Sequence, residues 1–448
     1  MMILIYLLFL FLIMLFNFKL KIKFLANMMF LLSFYLILKF SLSKYYWFGL
    51  SMFLGYDKYS YLLLILLFWI IGLMVLSSNK INIYLNIYYN LILFLTIFLY
   101  LCFSSMNYFM FYIYFEMSLI PIFMMVMGWG YQPERIKSSF YMLLYTLFFS
   151  LPLLLIMFFL LKFLGSMNLL ILNNLMVNIF FNLFMYQLFY FLMILAFLVK
   201  LPIYLIHVWL PKAHVEASVS GSMVLAAIML KLGGYGLIRS LLIMLNFSFK
   251  FNMILMMMVL WGSLILSMIC MIQIDMKMLV AYSSIVHMMF MLMGLLSMSL
   301  YGFMGGLLMM LSHGLCSSGM FCLVNFSYER LKSRIFFFNK GMNLIIPSMM
   351  LWWFLLCSSN LSSPPSLNLL SEMLIFISLM MWCKKIFILL ILMLFLSVIY
   401  SIYLYSKVQH GKLKYINMMY ENNIREYLII LLHWFPLNFL ILNVKFMI

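Results

Sequence analysis

Residues Tyr204–Gly236 read YLIHVWLPKAHVEASVSGSMVLAAIMLKLGGYG. The stretch sets His207, His214, Glu216, Lys212 and Lys231 into a chain that is otherwise long runs of apolar residues. Lys231 falls well inside the apolar run that begins at Glu216. An ionisable side chain at mid-membrane costs about 2.5–3.5 kcal/mol even on mild insertion scales, so each one in a spanning helix needs a reason. Pro202 and Pro211 bracket the start of the stretch, and Gly233, Gly234 and Gly236 close it, which suits a broken helix followed by a tightly packed one.

The rest of the chain supplies the solvent for that reading. Of 448 residues, 69% are hydrophobic and 8% charged, with a mean hydropathy of +1.20. Soluble domains carry about 25% charged residues. A core could not bury this much apolar surface, so the expectation is an all-α integral membrane protein. The opening MMILIYLLFLFLIMLF has no basic residue before its apolar run, unlike a signal peptide, and reads as a first spanning helix that is kept.

Apolar runs separated by turn-like clusters give about fourteen transmembrane helices: 1–17, 24–41, 59–76, 83–103, 107–127, 138–161, 183–206, 216–238, 251–272, 278–297, 302–326, 343–358 continuing into 364–382, 386–405 and 427–446. Residues 163–182 read as an interfacial connector. With the N-terminus outside, the odd loops hold the larger share of Lys and Arg: Lys19, Lys21, Lys23, Lys80, Arg135, Lys137, Lys212, Lys277, Arg330, Lys332, Arg334, Lys340, Lys407, Lys412, Lys414 and Arg425. The even loops and C-terminus hold Lys39, Lys44, Lys58, Lys162, Arg239, Lys250, Lys384, Lys385 and Lys445. Both termini are therefore expected on the outer side. The net charge of +18 is scattered over loops, which suits topology signals beside lipid headgroups and not a nucleic-acid face.

Four charges stand inside spans. Glu116 lies in NYFMFYIYFEMSLIPIF, where a structural contact between helices is the competing role. Lys200 precedes Pro202, whose missing donor should break the helix and leave carbonyls beside the ammonium; snorkelling from a helix end is the competing role. Lys231 is too central to snorkel. Glu372 follows a second break at Pro364 and Pro365. A charge beside a broken helix thus occurs once in each half, the pattern of inverted-repeat transporters. His287 and His313 add groups that titrate near neutral pH, with a helix–helix hydrogen bond as the alternative for each. Together these six form a candidate line: Glu116, Lys200, Lys231, His287, His313 and Glu372.

No nucleotide or redox motif occurs in the sequence. His207, His214 and Glu216 match no standard zinc spacing, and Trp209, Pro211 and Lys212 read as a membrane-edge turn, so no metal is expected. The six cysteines form no C-x-x-C and read as buried small hydrophobes. Abundant Met, Phe and Tyr with scarce Ala suit an AT-rich organellar genome that reads an isoleucine codon as methionine.

The stretches FEMSLIPIFMMVMGWGYQPER, HVWLPKAHVEASVSGSMVLAAIMLKLGGYG, QIDMKMLVAYSSIVHM, LSHGLCSSGMFCLVNFSYER and PPSLNLLSE together resemble the chain 4 family of mitochondrial NADH:ubiquinone oxidoreductase, in that family's order. The resemblance implies a fourteen-helix, antiporter-like subunit in the membrane arm of respiratory complex I, with two inverted repeats and broken helices. It implies a proton-translocation path through Glu116, Lys200, Lys231, His287, His313 and Glu372. A glutamate at 372, where sister subunits have lysine, favours chain 4 over chains 2 and 5; the lack of a long amphipathic C-terminal extension also disfavours chain 5. Ser218 and Ala227 stand where the family usually has proline and glycine, and Ser371 where glycine commonly precedes the glutamate.

The resulting organisation is 1–81 as N-terminal helices, 82–250 and 251–405 as the two antiporter-like repeats, and 406–448 as a loop and last helix. The implied partners are other complex I subunits, neighbouring antiporter-like chains above all, and membrane lipids, with no nucleic acid. No cofactor is expected here, FMN, iron–sulfur clusters, NADH and ubiquinone being handled elsewhere in the complex. The implied location is the mitochondrial inner membrane, termini toward the intermembrane space. The expected mechanism is that redox energy alters the Glu116–Lys200 interaction and drives a proton from Lys200 toward Lys231, the histidines and Glu372. The alternative is a sodium/proton antiporter subunit uncoupled from NADH oxidation; a third reading is a scaffold whose inner charges only hold helices together.

Overall fold

A computed structural model describes residues 2–15, 21–40, 47–51, 53–79, 81, 83–175, 183–412 and 423–444. Lys19, Lys44, Lys80, Lys414 and Lys445, the tails of the expected spans 1–17, 24–41 and 427–446, and positions 176–182 of the expected connector lie outside the described residues, as do the side chains of Lys21 and Lys23.

The chain is helical nearly throughout. Its helices are α1 Met2–Leu15, α2 Lys21–Phe40, α3 Lys58–Ser77, α4 Leu85–Ser104, α5 Tyr108–Met117, α6 Leu119–Trp129, α7 Arg135–Leu164, α8 Leu169–Leu175, α9 Leu183–Lys200, α10 Trp209–Glu216, α11 Val219–Val224, α12 Leu230–Ile243, α13 Leu245–Ile272, α14 Met276–Leu296, α15 Leu300–Leu331, α16 Met342–Ile345, α17 Pro347–Asn360, α18 Leu367–Trp382, α19 Phe387–Gln409 and α20 Ile424–Phe439. A two-residue ribbon pairs β1 Trp47–Phe48 with β2 Tyr56–Asp57. Helices dominate because a bilayer offers backbone groups no water, and only an element that satisfies them internally can cross it.

Among the described residues, ten helical segments are long and apolar enough to cross a membrane, and Met2–Phe11, Phe24–Lys39, Gln187–Lys200 and Leu367–Trp382 are shorter apolar helices. Length and composition thus support ten crossings; the count of fourteen stays a hydropathy expectation. Two of the shorter segments are the broken ones, where proline ends a helix partway.

The segments sort into a centre and a rim. Val219–Ile243 and Leu300–Leu331 are buried along their whole apolar windows, whereas only 28% of the window is buried in Arg135–Leu164 and in Ile424–Asn443, with Phe148 and Leu155 on α7 facing outward. Glycine permits the close approaches at the centre. A Cβ on Gly233 of α12 would come within 2.9 Å of Leu201 and 3.1 Å of the Phe197 carbonyl, and one on Gly305 of α15 within 3.0 Å of the Ile375 backbone nitrogen on α18.

Local chemistry fixes the ends. Asp57 caps α3 by accepting from Ser60 N at 3.0 Å, and the Asp57 N–H donates to Ser60 Oγ at 2.9 Å. Ser299 caps α15 by accepting from Gly302 N at 3.0 Å. Within the helices, Ser263, Ser283, Ser284 and Ser318 donate back to carbonyls three or four residues earlier, which satisfies a hydroxyl that has no water to meet.

Two expectations need correction. Trp209–Glu216 is a buried helix, not a membrane-edge turn; residues 201–208 form the turns instead. Pro211 is tolerated because the first turn of a helix has no intrahelical partner for its nitrogen. Lys277, Arg239 and Arg330 lie in helices and Arg334 in the loop after α15, and unlike solvated loop charges all four are buried. Arg239 donates to Asp57 Oδ1 at 2.6 Å, Arg330 pairs with Glu426, Arg334 donates to Val215 O at 2.6 Å and Lys277 to Ala217 O at 3.2 Å. The apolar pattern put all four in loops; partners elsewhere in the fold are what make their burial possible.

Candidate functional site

The first titratable pair is built at two helix ends. Lys200 is the last residue of α9 and only 3% exposed. Its ammonium donates to the Phe115 carbonyl at 3.1 Å and sits 3.0 Å from the centre of the Phe115 ring. Glu116, the next residue, keeps both carboxylate oxygens buried. The Ser150 hydroxyl nearby is turned to Leu147 O at 3.1 Å. Among the described residues Glu116 and Lys200 make no ion pair within 4.0 Å, yet each is the main charge acting on the other. The two are close enough to interact and far enough apart to change.

The break after Lys200 is itself capped, in a way the sequence did not suggest. Pro202 has no N–H, so Ile203 N reaches back to Leu198 O at 3.4 Å. Trp209 Nε1 donates to Val199 O at 3.2 Å. Lys200 therefore faces a carbonyl of α5 and not, as expected, the loose carbonyls of its own helix.

Lys231 is fully buried two residues past a π-helical turn, Leu225–Met229. Leu230 N donates to Leu225 O, so Ala226 O loses the donor that an α-helix would give it. Lys231 Nζ takes that place at 2.6 Å. The π-turn thus makes a polar seat for an ammonium, consistent with the habit of such turns to occur at functional positions.

From Lys231 the titratable groups are continuous. Its Nζ lies 2.9 Å from His313 Nδ1 on α15. The His313 and His287 rings are 5.6 Å apart between centroids. His287 Nδ1 on α14 is 3.6 Å from Glu372 Oε1 on α18. Four helices therefore bring together Lys231, His313, His287 and Glu372, in that spatial order; His313 precedes His287, a sequence of contacts that spacing alone does not give. Asn368 Nδ2 donates to Ser359 O at 2.7 Å and ties α18 to α17 across the second break.

Glu116 and Lys200 form a separate cluster. Leu201, Phe197 and Gly233 pack between α9 and α12, and this apolar contact separates the first pair from the Lys231 line.

Sequence reading missed three participants. Tyr400 on α19 places its hydroxyl 3.2 Å from His287 Nε2. His214 on α10 is fully buried and stacked on Phe321 with centroids 4.6 Å apart. Lys277, in the first turn of α14, holds the α10–α11 junction through Ala217 O. Arg334 lies 4.0 Å from Glu216 beside it, so His214 and Glu216 belong to a buried polar cluster at the end of α10. Asp275 at the N-cap position of α14 was the available sign that Lys277 starts a helix; nothing local marks Tyr400.

A helical membrane chain with a break in each half and a buried line of lysine, histidine and carboxylate is of the antiporter-like class. Comparison with known proteins agrees. Residues 105–399 match the family NADH:quinone oxidoreductase/Mrp antiporter, TM, and residues 1–102 match NADH-ubiquinone oxidoreductase chain 4, amino terminus. The chain is 49% identical over 423 residues to NADH-ubiquinone oxidoreductase chain 4 of Ceratitis capitata, covering 93% of each, and 44% identical over 431 residues to that of Locusta migratoria, covering 94% of this chain and 92% of the relative. It is similar in structure to a chain of respiratory complex I from Thermus thermophilus with bound NADH, at a TM-score of 0.82 and 21% identity, over 92% of this chain and 88% of that one; this likeness carries the fold. The chain belongs to the NADH-ubiquinone oxidoreductase chain 4 family.

Proposed function

We propose that this chain is a core membrane-arm subunit of respiratory complex I, translocating protons across the mitochondrial inner membrane while other subunits pass electrons from NADH to ubiquinone. Its partners are other subunits of the complex, including neighbouring antiporter-like chains, and lipid. The family supports the complex and the reaction. The observation that carries the chemistry is the contact series Lys231, His313, His287, Glu372.

The proton path runs through Glu116, Lys200, Lys231, His313, His287 and Glu372. A carboxylate near Lys200 favours the charged ammonium; moving the two apart favours proton release. Phe115 O holds the ammonium whichever way Glu116 moves, so the carboxylate is the part free to shift. The released proton passes toward Lys231, which sheds its own along the histidines. Residues 82–250 and 251–405 are the two repeats, supported by one helix break in each, with 1–81 and 406–448 flanking them. The chain holds no FMN, iron–sulfur cluster, nicotinamide or quinone of its own, a reading supported by the lack of their motifs in the sequence. Both termini face the intermembrane space; removing the buried Lys277, Arg239, Arg330 and Arg334 from the loop charges leaves the excess on the same side.

Native separation of gently solubilised membranes tests the assembly. Fragments of this chain should comigrate with NADH dehydrogenase activity; a smaller assembly lacking that activity, with sodium-dependent exchange, would favour the antiporter alternative instead. Lys200→Met in assembled complex should abolish or sharply cut proton pumping, and unaltered pumping would remove Lys200 from the path.

A further inference from the structure

The end of the line at Glu372 has a third member. Tyr400 on α19 is fully buried, and its hydroxyl meets His287 Nε2 at 3.2 Å while His287 Nδ1 faces Glu372 Oε1 at 3.6 Å. The Tyr400 and His287 rings are close to perpendicular, 83°, with centroids 6.5 Å apart, so the hydroxyl, not the ring face, makes the contact. Both imidazole nitrogens are thus assigned, one to a carboxylate and one to a phenol. A cavity of about 10 Å³ lined by His287, Glu372, Phe290 and Ser397 adjoins them, room for about one water.

We propose that Tyr400 is a positioning residue for proton transfer, the partner that keeps His287 Nε2 hydrogen-bonded in every protonation state the ring passes through. The inference rests on the path proposed above. A phenol can donate or accept, unlike a carboxylate or an ammonium. With Glu372 ionised and His287 neutral, the proton on Nδ1 faces the carboxylate and Nε2 accepts from the Tyr400 O–H. When the proton arriving from His313 is taken up at Nε2, the Tyr400 O–H turns away to free the lone pair, His287 becomes imidazolium, and Nε2–H donates to the Tyr400 oxygen. Transfer then breaks the Nδ1–H bond and forms an O–H bond on Glu372, directly as the gap closes or through one water in the cavity. The positive ring and negative carboxylate both become neutral, and the remaining imidazole proton sits on Nε2, still held by Tyr400. Without the hydroxyl, the buried Nε2 would lose a neighbour able both to donate to it and to accept from it.

The test uses the intact complex in proteoliposomes, reading NADH turnover, protons moved per NADH, and the ratio of rates in H₂O and D₂O. Tyr400→Phe should lower coupled turnover on the order of ten-fold and raise the solvent isotope effect, because the transfer at His287 becomes limiting. Tyr400→Gln, which restores both a donor and an acceptor, should recover most of the rate and a normal isotope effect. A purely packing role predicts the reverse order, with Phe tolerated and Gln not, and that result would overturn the proposal. Tyr400→Met serves as the hydroxyl-free variant should Tyr400→Phe fail to assemble, judged by the same criteria. Glu372→Gln separates the two levels: if it pumps normally the path itself is wrong, whereas if it fails while Tyr400→Phe matches the unsubstituted complex, only the role of Tyr400 is lost.

Discussion

Lys231 Nζ lies 2.9 Å from His313 Nδ1 and 2.6 Å from the carbonyl oxygen of Ala226. The first contact gives the ammonium a proton acceptor and the second gives it a fixed seat. The two come from different sources. The imidazole is brought by α15, and the free carbonyl by the π-turn in Lys231's own helix.

That relationship makes Lys231 a carrier and not a strut. Lys231→Met in assembled complex should lower coupled proton pumping by about 10²-fold or more, the range typical of a lost acid–base group. Proton movement per NADH in proteoliposomes checks it. A variant that assembles poorly yet pumps at the normal stoichiometry in the surviving complexes would favour the scaffold reading.

The α9–α12 contact should tolerate no added volume. Gly233→Leu forces its side chain into Leu201 and the Phe197 carbonyl, with a destabilisation of about 1–3 kcal/mol. Gly128, whose Cβ position is open, is the control: Gly128→Ala should leave the heat resistance of the complex unchanged in the same melting assay.

Arg239 and Asp57 tie the lysine helix α12 to α3 through a buried pair at 2.6 Å. Asp57→Ala leaves the guanidinium without its carboxylate and should cost about 3–5 kcal/mol. Adding Arg239→Leu should recover part of that loss, since two apolar partners strand no charge. The yield of assembled complex across the four members of the cycle measures the coupling, and strictly additive losses would show that the pair is not an energetic unit.

The proposed orientation places Lys332 on the matrix side and Lys384 on the side of both termini. Both residues are exposed. A membrane-impermeant thiol reagent should reach Lys384→Cys from the intermembrane space and Lys332→Cys only after the inner membrane is opened. The opposite labelling pattern would invert the topology.

Much of this molecule is legible one residue at a time. The apolar runs, the two proline breaks and the six buried titratable groups follow from local composition, because hydrocarbon admits a charge only with a reason and a proline ends a helix wherever it stands. Segment 201–208 shows the limit of that reading. Local pattern predicts a break at Pro202, yet whether the chain turns or resumes a helix at Trp209 depends on Trp209 Nε1 reaching the Val199 carbonyl, a contact that hydropathy does not encode.

What the sequence by itself determined is the class: a helical membrane chain with a break in each half and lysine, histidine and glutamate within its spans. Tertiary structure alone decided which of these touch. It set His313 before His287, gave Ala226 O to Lys231 by shifting one turn to π geometry, buried Lys277 and Arg239 against partners on other helices, and delivered Tyr400 to His287 from 113 residues away. The reason is physical. Insertion into the bilayer reads each segment's own transfer free energy, whereas proton contacts depend on distances between helices, which packing sets.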